Sequence, residues 1–171
     1  MAQRSGKGGL PVAVIDTTLL TRLVILDIAQ FLPFMFKQIL IPPEVKREAY
    51  KAPHKGKRRL RKLIAEMAGF FIDCYEADEG VKEILKADLG EGEAAAIAQA
   101  ESKQSILLTD DKKAFKRAET MQLKVIRTLT VLNMLKEAGA ITEVKPYHDK
   151  LQGLYLRETD LKKALAEAGE E

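Results

Sequence analysis

Cysteine, histidine and aromatic residues are scarce in this chain of 171 residues, and each scarcity excludes a class of function. The one cysteine, Cys74, excludes an internal disulfide framework and fits a reducing compartment. No histidine lies near Cys74 in the sequence to activate it, so we expect it to be a small core residue. The two histidines, His54 and His148, are too far apart to form a metal-binding spacing. Aromatic residues make up only 6%, and no base-stacking motif stands out.

Long apolar runs are also missing. The longest candidate, residues 19–36, is interrupted by Arg22, Asp27, Gln30 and Pro33, so we do not expect it to span a bilayer. The first residues, MAQRSGKGG, contain no apolar stretch typical of a signal peptide and no strand that would introduce a phosphate-binding loop. We therefore expect a cytoplasmic protein with a flexible tail over residues 1–10.

Short apolar stretches alternate with helical patterns along the chain. The central stretch, residues 105–113 (SILLTDDKK), passes from an apolar run to two acids and then to a helical pattern. This alternation predicts an α/β fold, in which a mostly parallel sheet is covered by helices on both faces. We expect one domain over residues 11–155, followed by a helical extension over residues 156–171. Strands are predicted over residues 11–15, 38–41, 70–75, 106–108 and 123–126. Helices near the C-terminus are predicted over residues 130–138 and 141–151.

Acidic residues stand just after the predicted strands or on the helices that follow strands and loops. They are Asp16, Glu48, Glu93, Asp110 and Asp111. Such positions can converge at one edge of a parallel sheet. These residues also have a purely structural interpretation. Asp110 and Asp111 could cap the helix that follows them. Asp16 could cap a helix, Glu48 could be a partly exposed surface acid, and the helix dipole alone could favour Glu93.

Carboxylates that are brought together repel one another, and burial adds to the cost. A divalent cation resolves this conflict. Oxygen ligands without histidine or cysteine suit Mg²⁺ or Mn²⁺ better than Zn²⁺. Such a metal lowers the pKa of a bound water and stabilises charge on a leaving oxygen. The acids therefore predict metal-dependent phosphodiester hydrolysis without a covalent intermediate.

Basic residues are informative only in their distribution, since 28 Lys and Arg against 25 Asp and Glu give a net charge of just +3. One short segment holds Lys55, Lys57, Arg58, Arg59, Arg61 and Lys62. A cluster of this kind suits contacts with a phosphate backbone. A solvated helix face and a surface for an acidic partner protein are the alternatives.

Four acidic motifs occur in order along the chain. They are Asp-Thr-Thr at 16–18, Ile-Pro-x-x-Val-x-x-Glu at 41–48, Leu-Gly-x-Gly-Glu-Ala at 89–94 and Leu-Leu-Thr-Asp-Asp-Lys-Lys-Ala at 107–114. Together they resemble the PIN-domain nucleases, over roughly residues 12–155, and in particular the prokaryotic branch. The resemblance implies a three-layer α/β/α sandwich and Mg²⁺- or Mn²⁺-dependent cleavage of RNA, single-stranded RNA being the expected substrate. It also implies a homodimer and, in many members, a toxin that is held by an antitoxin protein.

The resemblance assigns the metal-binding and catalytic role to Asp16, Glu48, Glu93 and a fourth acid. The Thr-x-Asp pattern favours Asp111 for that place, and Asp110 is expected close by as a further metal ligand. Two hydroxyl residues, Thr17 and Thr18, are expected to hold a water or a phosphate oxygen. Glu93 stands where many relatives have Asp, and its longer reach would alter the metal geometry.

Two competing interpretations concern the same sequence. A PIN-like module could bind nucleic acid or a protein partner without turnover. The pattern Gly90-x-Gly92-x-x-Ala95 imitates a dinucleotide-binding fingerprint, but the residues before it predict a helix and its acids would repel a pyrophosphate. We therefore reject dinucleotide binding.

Overall fold

A computed structural model describes residues 9–51, 56–152 and 158–170 of the chain. Five strands are present in this part: β1 (Val12–Ile15), β2 (Gln38–Ile41), β3 (Phe71–Asp73), β4 (Ile106–Leu108) and β5 (Val125–Ile126). The helices are α1 (Thr17–Leu26), α2 (Pro43–Lys51), α3 (Lys57–Glu66), α4 (Glu79–Leu85), α5 (Glu91–Ser102), α6 (Lys112–Thr120), α7 (Thr128–Glu137), α8 (Lys145–Leu151) and α9 (Glu158–Glu167). A 3-10 helix, Ala29–Phe34, precedes β2.

The five strands form one parallel sheet in the order β3-β2-β1-β4-β5. The predicted α/β fold with a central parallel sheet is therefore confirmed. Strand β1 pairs with β2 on one side and β4 on the other, with Ile15 opposite Leu108. The strand order reverses at this pair, and in open α/β sheets the crevice beyond such a point is the usual ligand site. The residues that follow β1 and β4 therefore meet at its mouth.

The alanine-rich helix α5 lies at the centre of the packing. Six of its apolar residues are fully buried: Ala94, Ala95, Ala96, Ile97, Ala98 and Ala100. Small side chains let a helix approach its neighbours closely, and α5 contacts β1, β4, α2, α4 and α6. This close packing fixes the first turn of α5, which carries Glu93, against the crevice.

Some element boundaries differ from the predicted ones. Strand β5 spans two residues instead of four, and α8 begins at Lys145, not Ile141. Helix α7 begins at Thr128, two residues earlier than predicted, because the Thr128 N–H donates to the Asp110 carboxylate at 2.9 Å. A tertiary contact therefore sets this helix start.

The C-terminal helix is packed onto the rest of the fold. Helix α9 contacts α7, and the Lys136 ammonium donates to the Ala168 carbonyl at 2.7 Å. The Glu170 carboxylate accepts the Val144 and Lys145 N–H groups, both at 2.8 Å, at the start of α8. The predicted boundary at residues 155–156 lies outside the described residues, as does the tail up to residue 8. No helix in the described part is long and apolar enough to cross a membrane.

Candidate active site

Asp16 directly follows β1 and is fully buried. Its carboxylate caps α1 by accepting the Leu19 N–H at 2.9 Å, and it also accepts the Thr18 hydroxyl at 2.8 Å. Burial raises the pKa of Asp16 from 3.8 to about 7, against the opposing effect of these hydrogen bonds. Asp16 therefore caps α1, as predicted, and also lies at the crevice.

Thr109 connects the ends of β1 and β4. Its hydroxyl donates to the second carboxylate oxygen of Asp16 and accepts the Asp111 N–H at 3.1 Å. The Asp111 carboxylate in turn caps α6, accepting the N–H groups of Lys113 at 2.7 Å and Ala114 at 2.8 Å. The buried threonine therefore holds Asp16 and Asp111 in one network.

The Asp110 carboxylate contacts a different set of residues. Its carboxylate is almost fully buried, forms an ion pair with Arg22, and accepts the Thr128 hydroxyl and N–H. The Arg127 guanidinium lies 3.8 Å from the same carboxylate. The negative charge of Asp110 is thus balanced by an arginine, and its carboxylate binds residues of α1 and α7. These contacts distinguish Asp110 from Asp111.

Glu48 reaches from α2 to the start of α5. Its Oε1 accepts the Gly92 N–H at 2.8 Å, and its Oε2 accepts the Thr17 hydroxyl at 2.7 Å. A side chain at position 92 would overlap the Glu48 carboxylate, since a Cβ there would lie 2.8 Å from its Cδ and 3.0 Å from the Thr17 Oγ1. Gly92 is therefore required for the approach of Glu48.

Glu93 lies in the first turn of α5 and is half-buried. Its carboxylate accepts the Gly90 N–H at 3.1 Å, which caps its own helix. The pKa of Glu93 is raised, first by burial and then by the negative charges of Asp111 and Glu48. These charges act on Glu93 because the three carboxyl groups share the crevice.

Comparisons with known proteins agree with this architecture. A family model described as PIN domain matches residues 12–170, nearly the whole chain. The chain belongs to the PIN-domain family. A search of curated protein sequences finds no match.

Two solved structures are similar to this PIN domain. VapBC-1 from nontypeable Haemophilus influenzae is 14% identical, with a TM-score of 0.50, over 68% of this chain and 97% of the other. A domain of a functionally unknown protein from Methanocaldococcus jannaschii is 23% identical, with a TM-score of 0.48, over 68% and 90% of the two chains. At these identities the likeness to VapBC-1 supports the fold alone.

The donor set of this PIN domain fits a hard divalent cation in chemistry and charge. The candidate ligands offer oxygen only. Burial raises the pKa of Asp16 and of Glu93, and a bound cation would favour the charged form of both carboxyl groups. In the described residues, no three acidic, histidine or cysteine side chains are already arranged around one point as a metal group would need. Each of the four carboxylates instead caps a helix, and cation binding would have to share those oxygens.

The basic helix α3 packs against α1 and α2. Lys55 falls outside the described residues, and Lys57, Arg58, Arg59, Arg61 and Lys62 belong to α3. Arg59 pairs with Asp27 at 3.1 Å, and Asp27 ends the ten-residue helix α1 that Asp16 begins. At 1.5 Å per residue, this contact lies about 15 Å along α1 from the acid cluster. RNA that is guided by Arg59 would therefore lie at a distance from Asp16.

Several residues at this site were not predicted from the sequence. Thr109, Arg22 and Arg127 organise Asp16 and Asp110, and Gly92 admits Glu48. The Gly-x-Gly-Glu motif could have indicated the role of Gly92, whereas Arg22 and Arg127 lie in stretches without a motif. The other predicted substrate residues, Thr17 and Thr18, use their hydroxyls for Glu48 and Asp16. Cys74 is buried, in keeping with the predicted core role.

Proposed function

We propose that this PIN-domain protein is a metal-dependent endoribonuclease that hydrolyses RNA phosphodiester bonds. The observation that carries the proposal is geometric: Thr109 links the buried Asp16 to Asp111 at the switch point of the sheet, and Glu48 binds the first turn of α5, which carries Glu93. Carboxylates are costly to assemble in this way unless a cation or a proton is shared among them. The proposed ligands of Mg²⁺ or Mn²⁺ are Asp16, Glu48, Glu93 and Asp111.

The hydrogen bonds support a separate role for each residue of the site in the proposed reaction. Bound metal would supply Lewis acidity and activation of water toward the RNA phosphate. Thr109 positions Asp16 relative to Asp111, and Thr17 with the Gly92 N–H positions Glu48. Asp110, whose charge is balanced by Arg22, is proposed to support the site and not to bind metal.

Cleavage of labelled single-stranded RNA tests the proposal directly. The assay uses Mg²⁺ or Mn²⁺, with EDTA, Asp16→Asn and the exposed-site control Asp88→Asn alongside the wild-type protein. We expect the wild type and Asp88→Asn to cleave, and both EDTA and Asp16→Asn to abolish cleavage. Cleavage that survives Asp16→Asn removes Asp16 from the mechanism, and cleavage that survives EDTA removes the metal.

A second candidate function is a binding module without turnover. The observation in its favour is that all four acids already accept hydrogen bonds at helix starts, while Arg59 of the basic helix α3 pairs with Asp27 at the other end of α1 from Asp16. Binding of RNA that survives EDTA and is lost when Arg58 and Arg61 are changed to Gln, without any products, would favour this module.

The proposal extends to the partners and the assembly of this protein. We propose, on the family resemblance, that the protein acts in the cytoplasm, forms a homodimer and serves as the toxin of a toxin–antitoxin pair. Sedimentation of the purified protein would test the dimer. Growth arrest on expression of the wild type, relieved by Asp16→Asn, would test the toxin role.

A further inference from the structure

A cavity of about 560 Å³ opens beside Asp111, between α6 and the residues that lead into α7. Its volume lies in the range of about 300–1,000 Å³ that is usual for small-ligand sites. Lys112, Phe115 and Lys116 of α6 contribute to one wall, and Arg127 contributes to another. The cavity is therefore continuous with the acid cluster through Asp111 but extends beyond it.

The distinctive feature of this cavity is an aromatic ring that is paired with a guanidinium group. The Arg127 guanidinium lies over the half-buried Phe115 ring, 5.7 Å from its centroid. Ring faces and guanidinium planes are the surfaces on which unpaired nucleobases stack. Glu119 and Asp160 also line the cavity and offset its basic side chains. Net charge alone would therefore not select a ligand.

Lysine positions add a second component. Lys112 and Lys116 are four residues apart on α6 and therefore lie on the same face of that helix, on either side of Phe115 in sequence. Both are exposed, and ammonium groups at this spacing suit one phosphate group of a nucleotide. The buried Asp110 does not oppose an anion here, since Arg22 balances its charge.

We infer that this cavity binds one unpaired nucleotide of the RNA next to the phosphate that is cut. The base stacks on the Phe115 ring in place of the Arg127 guanidinium, and the phosphate contacts Lys112 and Lys116. The inference rests on the proposed function and goes beyond it by naming the subsite that holds one base next to the acid cluster. A base that is paired in a duplex cannot enter, so the cavity selects single-stranded RNA.

The test uses single-stranded RNA that carries 2-aminopurine at successive positions, bound to the Asp16→Asn protein in Mn²⁺ so that the strand is expected to stay intact. Stacking quenches 2-aminopurine fluorescence, and we expect strong quenching at one position. Phe115→Leu in the same background should abolish that quenching and weaken binding about five- to tenfold, the lower part of the range for loss of one base–aromatic stack. Phe34→Leu is the matched control, because Phe34 is an exposed phenylalanine away from the cavity.

An abasic nucleotide at the responsive position separates stacking from a structural effect. The abasic substitution should weaken binding to the Phe34→Leu protein but cause little further loss with Phe115→Leu. Equal loss with both proteins, or no position that responds to Phe115, overturns the inference even if the wild type cleaves RNA. A Phe115-dependent position without wild-type cleavage supports the subsite and contradicts the catalytic proposal. Absence of both RNA binding and cleavage contradicts both.

Discussion

The buried carboxyl group of Asp16 makes a specific prediction about stability. In Asp16→Asn, the amide oxygen can still accept the Leu19 N–H that caps α1, and the amide nitrogen can donate to Thr109. The variant therefore keeps the cap, but it loses the ionisable group and the oxygen that accepts the Thr109 hydroxyl. We expect Asp16→Asn to be more stable than the wild type above pH 7, in the absence of metal.

The magnitude follows from the raised pKa. Because the folded pKa of Asp16 is about 7 against an ordinary value of 3.8, the folded state holds a proton that the unfolded state releases between these values. Wild-type stability therefore falls as pH rises from about 4 to 7, and the loss is complete above 7. At ~1.4 kcal/mol for each pKa unit, the loss amounts to about 4 kcal/mol. In a domain of this size, that corresponds to about 8–16 °C in Tm.

Thermal and urea unfolding from pH 4 to pH 8 in EDTA measure this effect. The difference between Asp16→Asn and the wild type should grow by about 4 kcal/mol over this range, whereas Asp88→Asn should run parallel to the wild type. Adding Mn²⁺ should raise the Tm of the wild type more than that of Asp16→Asn, since a cation relieves the buried charge. Parallel pH curves for Asp16→Asn and the wild type would refute the assignment of a buried, poorly compensated carboxylate.

Three further predictions concern Gly92, Asp110 and His148. Gly92→Ala should displace the Glu48 carboxylate and lower RNA cleavage at least about tenfold, while circular dichroism shows a retained fold, because the overlap falls on the end of a flexible side chain; unchanged cleavage would contradict the role of Glu48. Asp110→Ala should lower the free energy of unfolding by about 3 kcal/mol, measured in urea, since it removes the buried carboxylate that pairs with Arg22 and accepts the Thr128 N–H; a loss below about 1 kcal/mol would contradict that ion pair. Burial lowers the pKa of His148, so this residue should cost stability as pH falls below its unfolded value of about 6.5, and His148→Phe should flatten that part of the wild-type curve; an unaltered slope would contradict its burial as a neutral ring.

Local sequence patterns were sufficient for most of the sheet. The bounds of β2 are those predicted, because a run of buried apolar residues ends at the Pro42-Pro43 pair that starts α2. Strand β4 and the cap at Asp111 also follow from the abrupt change from Ile106–Leu108 to two acids. These features depend on neighbouring residues only, which is why periodicity and capping rules reveal them.

Long-range contacts at the site could not be read in this way. The Thr-x-Asp pattern favoured Asp111 over Asp110 as the fourth acid, but the sequence did not reveal their partners. These are Arg22 and Thr128 for Asp110 and the α6 N-terminus for Asp111. Arg22 looked like a polar interruption in an apolar stretch. Phe115 was one aromatic residue among few, and its pairing with Arg127 depends on the packing of two elements.

Calorimetric titration of Mn²⁺ into the protein at pH 8 tests the central claim most directly, namely that the acids at the end of the sheet form one cation site. The account predicts binding to the wild type and to Asp88→Asn. It predicts affinity at least about tenfold weaker for Asp16→Asn, Glu48→Gln, Glu93→Gln and Asp111→Asn taken singly, since even outer partners of metal ligands contribute that much. Absence of Mn²⁺ binding to the wild type, or equal binding to all four variants, would contradict it.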